Sequence, residues 1–336
     1  MIRLKDIALR GGVSVMTVSK VLRDAPDISP ATKARIKALA EGMGYVPDSV
    51  AQGLRTRSTR TIGLVIPTVT NPLFARGIVA VEEQAYELGY EVILGHSLND
   101  PAREEAVIRR FLSRRVDGLI ISPVYRLAPT APIYQELLES GTAVVIWGHK
   151  APFCAGFQSV ESDDLLGAHA AAQHLIELGH RHIAYFAGPS VAPWNQERLE
   201  GYRRGLREKN IEVDETLIFS AGESIEEGEN AALQMLNEGV KPTAIQCCND
   251  MVAIGAASVL LQQGLKIPQD ISIVGFGNIL MCEHFSVPLT TVHQPKFRLG
   301  TVAMEFMLHL LKHEPVDSRR LPTDLIVRQS TGPAPS

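Results

Sequence analysis

Residues 4–54 read LKDIALRGGVSVMTVSKVLRDAPDISPATKARIKALAEGMGYVPDSVAQGL. Leu4, Ile7 and Ala8 fall on one helical face, Val18, Val21 and Leu22 on a second, and Ile36, Leu39, Ala40 and Met43 on a third, each at three- and four-residue spacing. Three short amphipathic helices of this kind bury one another. Ser14 stands where an N-cap belongs before the second helix, Ser29-Pro30 supplies a cap and a first-turn proline for the third, and Gly11-Gly12 permits a tight reversal. This is the grammar of a helix-turn-helix. The second helix, residues 15–22, would enter a major groove, with Val15, Met16 and Thr17 toward base edges and Ser19, Lys20 and Arg23 near phosphates or bases. A small helical domain that binds protein would share the pattern.

Charge separates the two readings. Residues 1–60 hold eleven Lys and Arg against five Asp and Glu, a net of +6, which leaves −10 for the rest of a chain whose total is −4. A basic head can neutralise phosphates and release counterions, while the acidic remainder is repelled from the duplex.

At 336 residues with 45% hydrophobic content, the chain can bury more than one core. The N-terminus carries no apolar leader, and runs such as residues 61–66 are too short to cross a bilayer, so a soluble, cytoplasmic protein without membrane contact is expected. Cys154, Cys247, Cys248 and Cys282 form no C-x-x-C and read as reduced core residues. Gly179-His180-Arg181-His182 reads as a helix stop leading into a strand, not as a metal site. No metal and no cofactor are expected.

Residues 48–55, Asp48 to Arg55, are capped by Asp48 but span only about two turns and contain Gly53, so this helix needs a partner to form. A polar, basic linker at 56–60 marks the first boundary. Strand-like runs then alternate with amphipathic helical patterns: 61–66, 73–88, 91–95, 103–115, 118–122, 133–140 and 143–147, resuming with 165–178, 182–186, 196–209, 217–219, 225–237, 244–247, 252–263 and 271–276. That rhythm predicts a small all-α helix-turn-helix head followed by an α/β core of two doubly wound parallel-sheet lobes.

Ligands of such sheets bind beyond the carboxyl ends of the strands. The residues there are Asn71 and Phe74, Ser122 to Arg126, Trp147 to His149, Trp194 and Arg198, Glu223, Asn249 and Asp250, and Gly277 and Asn278. Aromatics, amides and an arginine can stack on and hydrogen-bond a polyhydroxylated ring. Each also has a plain structural reading: Asn249 or Asp250 can cap the next helix, and Arg198 can be an exposed helix residue. No G-x-G-x-x-G follows a strand, and neither G-x-x-x-x-G-K-[ST] nor G-x-S-x-G occurs, which disfavours an enzyme and leaves no catalytic residue to name.

These residues together resemble the lactose-repressor (LacI/GalR) family of transcription factors. The head carries the likeness in Lys5-Asp6-Ile7-Ala8, Gly12-Val13-Ser14, Thr17-Val18-Ser19 and Gly44-Tyr45-Val46-Pro47 leading into Ala51-Gln52-Gly53-Leu54. The core carries it in Asn71-Pro72-Leu73-Phe74, Gly179-His180-Arg181-His182-Ile183-Ala184, Pro242-Thr243-Ala244 with Asn249-Asp250, and Pro288-Leu289-Thr290-Thr291-Val292. The resemblance implies a homodimer on a pseudo-palindromic operator, hinge helices ordered in the minor groove with Leu54 wedged between central base pairs, and Ala51 and Arg55 beside it on DNA. It implies a core like periplasmic sugar-binding proteins, with crossovers near Ser162, Pro288 and Leu321 and an effector in the cleft. The expected boundaries are a head over 1–58 with a hinge helix at 48–55, and a core over 59–336. Its first lobe would be about 61–161 and 293–318, its second about 162–290 and 321–330.

Phe74, Arg198 and Asn249 match effector contacts of the family. Three positions depart: Gly277 stands where an aspartate commonly takes sugar hydroxyls, Glu223 where an aromatic often stacks, and Trp147 where an aspartate is frequent. The Pro-rich end, Gly332-Pro333-Ala334-Pro335-Ser336, is too short for a coiled coil, so a dimer is expected in place of a tetramer. The reading is a ligand-responsive regulator of transcription with a small polar, carbohydrate-related effector. Its rivals are a sugar-binding transport protein and an α/β enzyme with a DNA-binding appendage.

Overall fold

The structure is a computed structural model that describes residues 2–46 and 58–335. The hinge segment 48–55, with Ala51, Leu54 and Arg55, lies outside the described residues. The chain divides into two units, Met1–Thr59 and Arg60–Ser336.

In the head, α1 (Leu4–Gly11), α2 (Val15–Val21) and α3 (Pro30–Gly42) close on Ile7, Ala8, Val18, Val21, Ile36 and Ala40. The larger of these side chains contribute about 1.5–3 kcal/mol each when fully buried. Gly12 turns the chain at φ +61°, a left-handed conformation that glycine adopts without strain. Ser14 Oγ accepts from Thr17 N at 3.0 Å and Ser29 Oγ from Thr32 N at 3.3 Å, so both expected caps are made.

In the second unit, one six-stranded sheet contains β1 (Thr61–Ile66), β2 (Glu91–His96), β3 (Gly118–Ile121), β4 (Ala143–Trp147), β5 (Gln158–Ser162) and β11 (Arg319–Leu321) in the order β11-β5-β4-β3-β1-β2. All of its pairings are parallel. The other contains β6 (Ile183–Ala187), β7 (Ile218–Ser220), β8 (Ala244–Cys247), β9 (Ser272–Gly277), β10 (Thr290–His293) and β12 (Asp324–Ile326) in the order β12-β10-β9-β8-β6-β7. Here only β12 runs antiparallel.

Strand alternation divides the first lobe into two apolar layers. Ile62, Leu64 and Ile66 face α4 (Pro72–Glu87) and α12 (Lys296–Leu311), while Val65, Leu119 and Ile121 face α5 (Pro101–Ser113) and α6 (Pro132–Glu139). The second lobe is covered by α7 (Asp164–Glu177), α8 (Pro193–Glu208), α9 (Ile225–Asn237) and α10 (Asp250–Gln262), with the single turn α11 (Met281–His284) nearby. Glycines set the closest helix crossings: a Cβ on Gly300 of α12 would lie 2.3 Å from the Gly77 carbonyl of α4.

The chain passes between lobes three times: from Ser162 to Asp164, through Gln294 and Pro295, and from Leu321 to Asp324. The second passage therefore differs from the one expected near Pro288. The physical reason is that Thr290–His293 first pairs with β9 and β12 inside the second sheet.

Candidate functional site

In the head, Val15 and Met16 are 46% and 69% exposed at the start of α2, an open apolar step beside the Ser14 cap. Thr17 is half-buried, its hydroxyl 2.9 Å from Ser14 Oγ, so it is tied to the cap more than offered outward. Lys20 is ion-paired with the exposed Asp27. Arg23 donates from Nε to the Ser19 carbonyl at 2.9 Å, and the half-buried Ser19 sits under it. Asp24 takes Lys37 at 2.8 Å on both oxygens; that hydrogen bond and the lysine charge hold its carboxyl below the usual range. Exposed pairs of this kind contribute little to stability and are screened by salt.

The second unit encloses a cavity of about 580 Å³ at the carboxyl ends of both sheets. Asn71, Phe74, Trp147, Trp194, Arg198, Glu223 and Asn249 line it; Gly277 does not. Phe74 meets Trp147 edge to face at 5.7 Å. Asn71 and Asn249 are N-caps, accepting from Leu73 N at 3.0 Å and Val252 N at 2.8 Å, and Asn249 Nδ2 donates to the Glu223 carbonyl at 3.1 Å. The capping reading of Asn249 and its place on the cavity wall are thus both true. Glu223 Oε2 accepts from Asn99 Nδ2 at 3.2 Å across the lobes.

Arg198 is neither exposed nor open as a fork. Its Nε and Nη2 donate to Asp164 Oδ2 at 3.0 and 2.8 Å, and Nη1 donates to the Cys248 carbonyl at 2.6 Å. Phe276 and Trp194 stack on it, with ring centroids 3.7 and 4.6 Å from the guanidinium carbon. Only the remaining N–H groups can meet a ligand.

Gly277 contributes backbone alone. Its φ of +133° favours glycine, and a Cβ there would stand 3.0 Å from Asp250 Oδ2. The carboxylate on that wall comes instead from the fully buried Asp250, which accepts from Thr291 Oγ1 and from Ile279 N at 2.9 Å. Burial raises its carboxyl above the ordinary range against those bonds. Lys296 donates to the Gly277, Asn278 and Gln294 carbonyls, bringing the first helix turn of one lobe onto the strand end of the other. Burial depresses its ammonium to about 8.

Further interlobe bonds surround the cavity. His149 Nε2 lies 3.2 Å from Glu197 Oε2, and Arg320 donates to Glu161 and Glu197, each at 2.7 Å. Burial lowers the His149 imidazole, but the Glu197 bond and the Asp164 and Glu161 charges outweigh it and raise the net value. Arg126 and Asn278, at strand ends, turn elsewhere: Arg126 pairs with the buried Glu104, and Asn278 Oδ1 accepts from Arg328 at 2.8 Å.

Asp164, Glu197, Gln294, Lys296 and Arg320 were not among the sequence candidates. One signal for Lys296 was present: a cation at a helix N-terminus opposes the helix dipole and needs a separate reason to be there. His180 is a buried structural group, bonded to Thr243 Oγ1 at 2.9 Å and Ser272 Oγ at 3.1 Å. No helix among the described residues is long and apolar enough to cross a membrane.

Residues 3–48 match the family described as bacterial regulatory proteins, lacI family, and residues 172–331 match a periplasmic binding protein-like domain. The transcriptional repressor PurR of Photobacterium profundum is 33% identical, with 98% of each chain covered. The lac repressor dimer bound to operator and the anti-inducer ONPF superposes with a TM-score of 0.89 at 28% identity, covering 98% of this chain and 99% of that one. A transcriptional regulator CelR–cellobiose complex gives a TM-score of 0.72 at 29% identity, covering 98% and 100%. These relatives are named as regulators of transcription.

Proposed function

The chain belongs to the lacI family of bacterial regulatory proteins, and from that premise we propose how its own residues divide the work. It is a ligand-responsive, DNA-binding regulator of transcription, a repressor that acts as a dimer on a pseudo-palindromic operator. Val15 and Met16 read base edges from the first turn of α2, with Thr17 held by its cap, while Ser19, Lys20 and Arg23 contact the backbone. Ala51, Leu54 and Arg55 enter the minor groove as a hinge. The protein acts without turnover, in the cytoplasm, where operator DNA is.

The effector is a small polyhydroxylated molecule in the interlobe cavity. It packs on Phe74, Trp147 and Trp194 and bonds to Asn71, Glu223, Asn249 and the free N–H groups of Arg198. Gly277 drops out as a side-chain contact, and Asp250 takes its place. Allostery is then differential affinity for two lobe arrangements that space the hinges differently. The observation that carries this reading is the cavity itself: it is walled by aromatics and bridged by bonds from both lobes, so an occupant alters the interlobe fit.

The test is enrichment of duplexes from a random library, followed by anisotropy on the winning site across a carbohydrate panel. One enriched palindrome, with affinity shifted by a carbohydrate, is expected. No enrichment, or equal affinity in a chain beginning at Thr61, overturns the reading.

A further inference from the structure

The cavity wall carries five carboxylates, Glu161, Asp164, Glu223, Glu227 and Asp250, against the fixed cations Arg198 and Lys296 and the imidazole of His149. Each of those three already has partners: Arg198 has Asp164 and the Cys248 carbonyl, Lys296 has three carbonyls, and His149 has Glu197. Four of the carboxylates are also engaged. Asp164 takes Arg198 and Ser162, Asp250 takes Thr291 and Ile279 N, Glu161 takes Arg320, and Glu227 closes the cap of α9 through Ser224.

Glu223 is different. Its carboxylate accepts one amide, from Asn99 at 3.2 Å, and is reached only at longer range by the Arg198 charge. A second unmet acceptor is Gln294 Oε1, buried and lining the same cavity with no partner among the described residues, while its Nε2 is fixed on Ser162 Oγ at 2.7 Å. The wall thus offers surplus acceptors and negative charge, with its cations committed. An anionic group entering there would be desolvated beside carboxylates, and the N–H groups still open on Arg198 belong to a guanidinium whose charge is already paired with Asp164.

We propose that the effector is a polyhydroxylated molecule without negative charge, and that Glu223 sets this preference by repelling acidic ligands and seating an ammonium where the ligand has one. This rests on the reading of the cavity as the effector site and narrows its chemistry. Hydroxyl and ammonium donors can satisfy acceptors such as Glu223 and Gln294; a carboxylate or phosphate ester satisfies neither. Burial independently raises the Glu223 carboxyl above its ordinary range, the condition that an incoming cation relieves.

The experiment is calorimetry on the full chain with pentose, hexose and disaccharide skeletons, each offered as the neutral sugar, the amino sugar, the uronate and the phosphate ester. The expected order on the skeleton that binds is amino sugar, then neutral sugar, with the acidic forms at least tenfold weaker. In Glu223→Gln the gap between amino and neutral sugars closes and the acidic forms gain. A uronate or phosphate ester that binds more tightly than its neutral parent overturns the charge inference; if Phe74→Ala abolishes that binding, the cavity still stands as the effector site. A ligand whose affinity neither Phe74→Ala nor Glu223→Gln moves binds elsewhere and sinks the reading of the cavity. Failure of every skeleton in every form overturns the polyhydroxylated class.

Discussion

Asp164 Oδ2 accepts from both Nε and Nη2 of Arg198, at 3.0 and 2.8 Å, in a pair with side chains 1% and 5% exposed. Asp164 begins the second lobe directly after the first crossover, and its other oxygen takes Ser162 Oγ at 2.6 Å. The pair therefore fixes the junction as well as the cavity wall. Removing one partner strands a buried charge, at a cost of about 3–5 kcal/mol. Asp164→Ala should lower the denaturation midpoint accordingly, and Arg198→Ala should lose stability together with its effector response. An unchanged midpoint in urea unfolding of either variant would show that the pair is not buried in solution.

His149 bridges the lobes to Glu197, and its folded pKa is raised above the unfolded value of about 6.5. The sign follows: the bond contributes fully below about pH 6.5 and fades as pH rises through the folded value. Core stability should fall over that interval, and His149→Gln should flatten the dependence. Identical pH profiles for parent and variant would remove His149 from the bridge.

A Cβ on Gly77 would stand 2.1 Å from the Trp147 ring and 3.2 Å from the Lys296 carbonyl. Gly77→Ala should cost about 1–3 kcal/mol through overpacking and push Trp147 into the cavity. Effector affinity should drop, without loss of operator affinity in the absence of effector. Calorimetry showing full effector affinity would mean that the indole yields without narrowing the site.

Asp27 holds Lys20 in the head. Asp27→Asn should free that lysine and strengthen operator binding roughly two- to fivefold, the scale of an exposed pair, with a steeper salt dependence because one more cation faces phosphate. Substituting Met16 should instead change which bases are enriched. An anisotropy salt series and a selection profile that both stay put would assign α2 to another role.

Leu54→Ala should weaken operator binding while the core unfolds as before, since a wedge acts by holding a kinked base step open. Unaltered operator affinity in that variant would end the hinge proposal.

The head was legible because its determinants are local. Ser14 and Ser29 cap within three residues, and each helix shows its buried face in seven to thirteen residues. The sheets were legible from apolar runs such as Ala143–Trp147, which are buried on both faces. Short, polar β11, with Arg319 and Arg320, has no such signal, because it is recruited by pairing with β5. At the cavity, position after a strand picked out the wall, but not what each group already holds. Arg198 meets Asp164 across thirty-four residues, and Lys296 meets Gly277 across nineteen through a crossover that the periodicity does not mark. Partnership at that range is decided by topology, so Arg198 is legible as a candidate for the cavity while its hold on Asp164 is not.

The chain has two tryptophans, Trp147 and Trp194, and both stand on the wall of one cavity. One meets a phenylalanine edge and the other lies over a guanidinium, so their indoles sit in unlike electrostatic surroundings. The protein accordingly carries its own optical reporter. Ultraviolet emission of the unlabelled chain originates where an occupant would sit, and a shift in its colour or intensity would register loading while the same sample is bound to DNA.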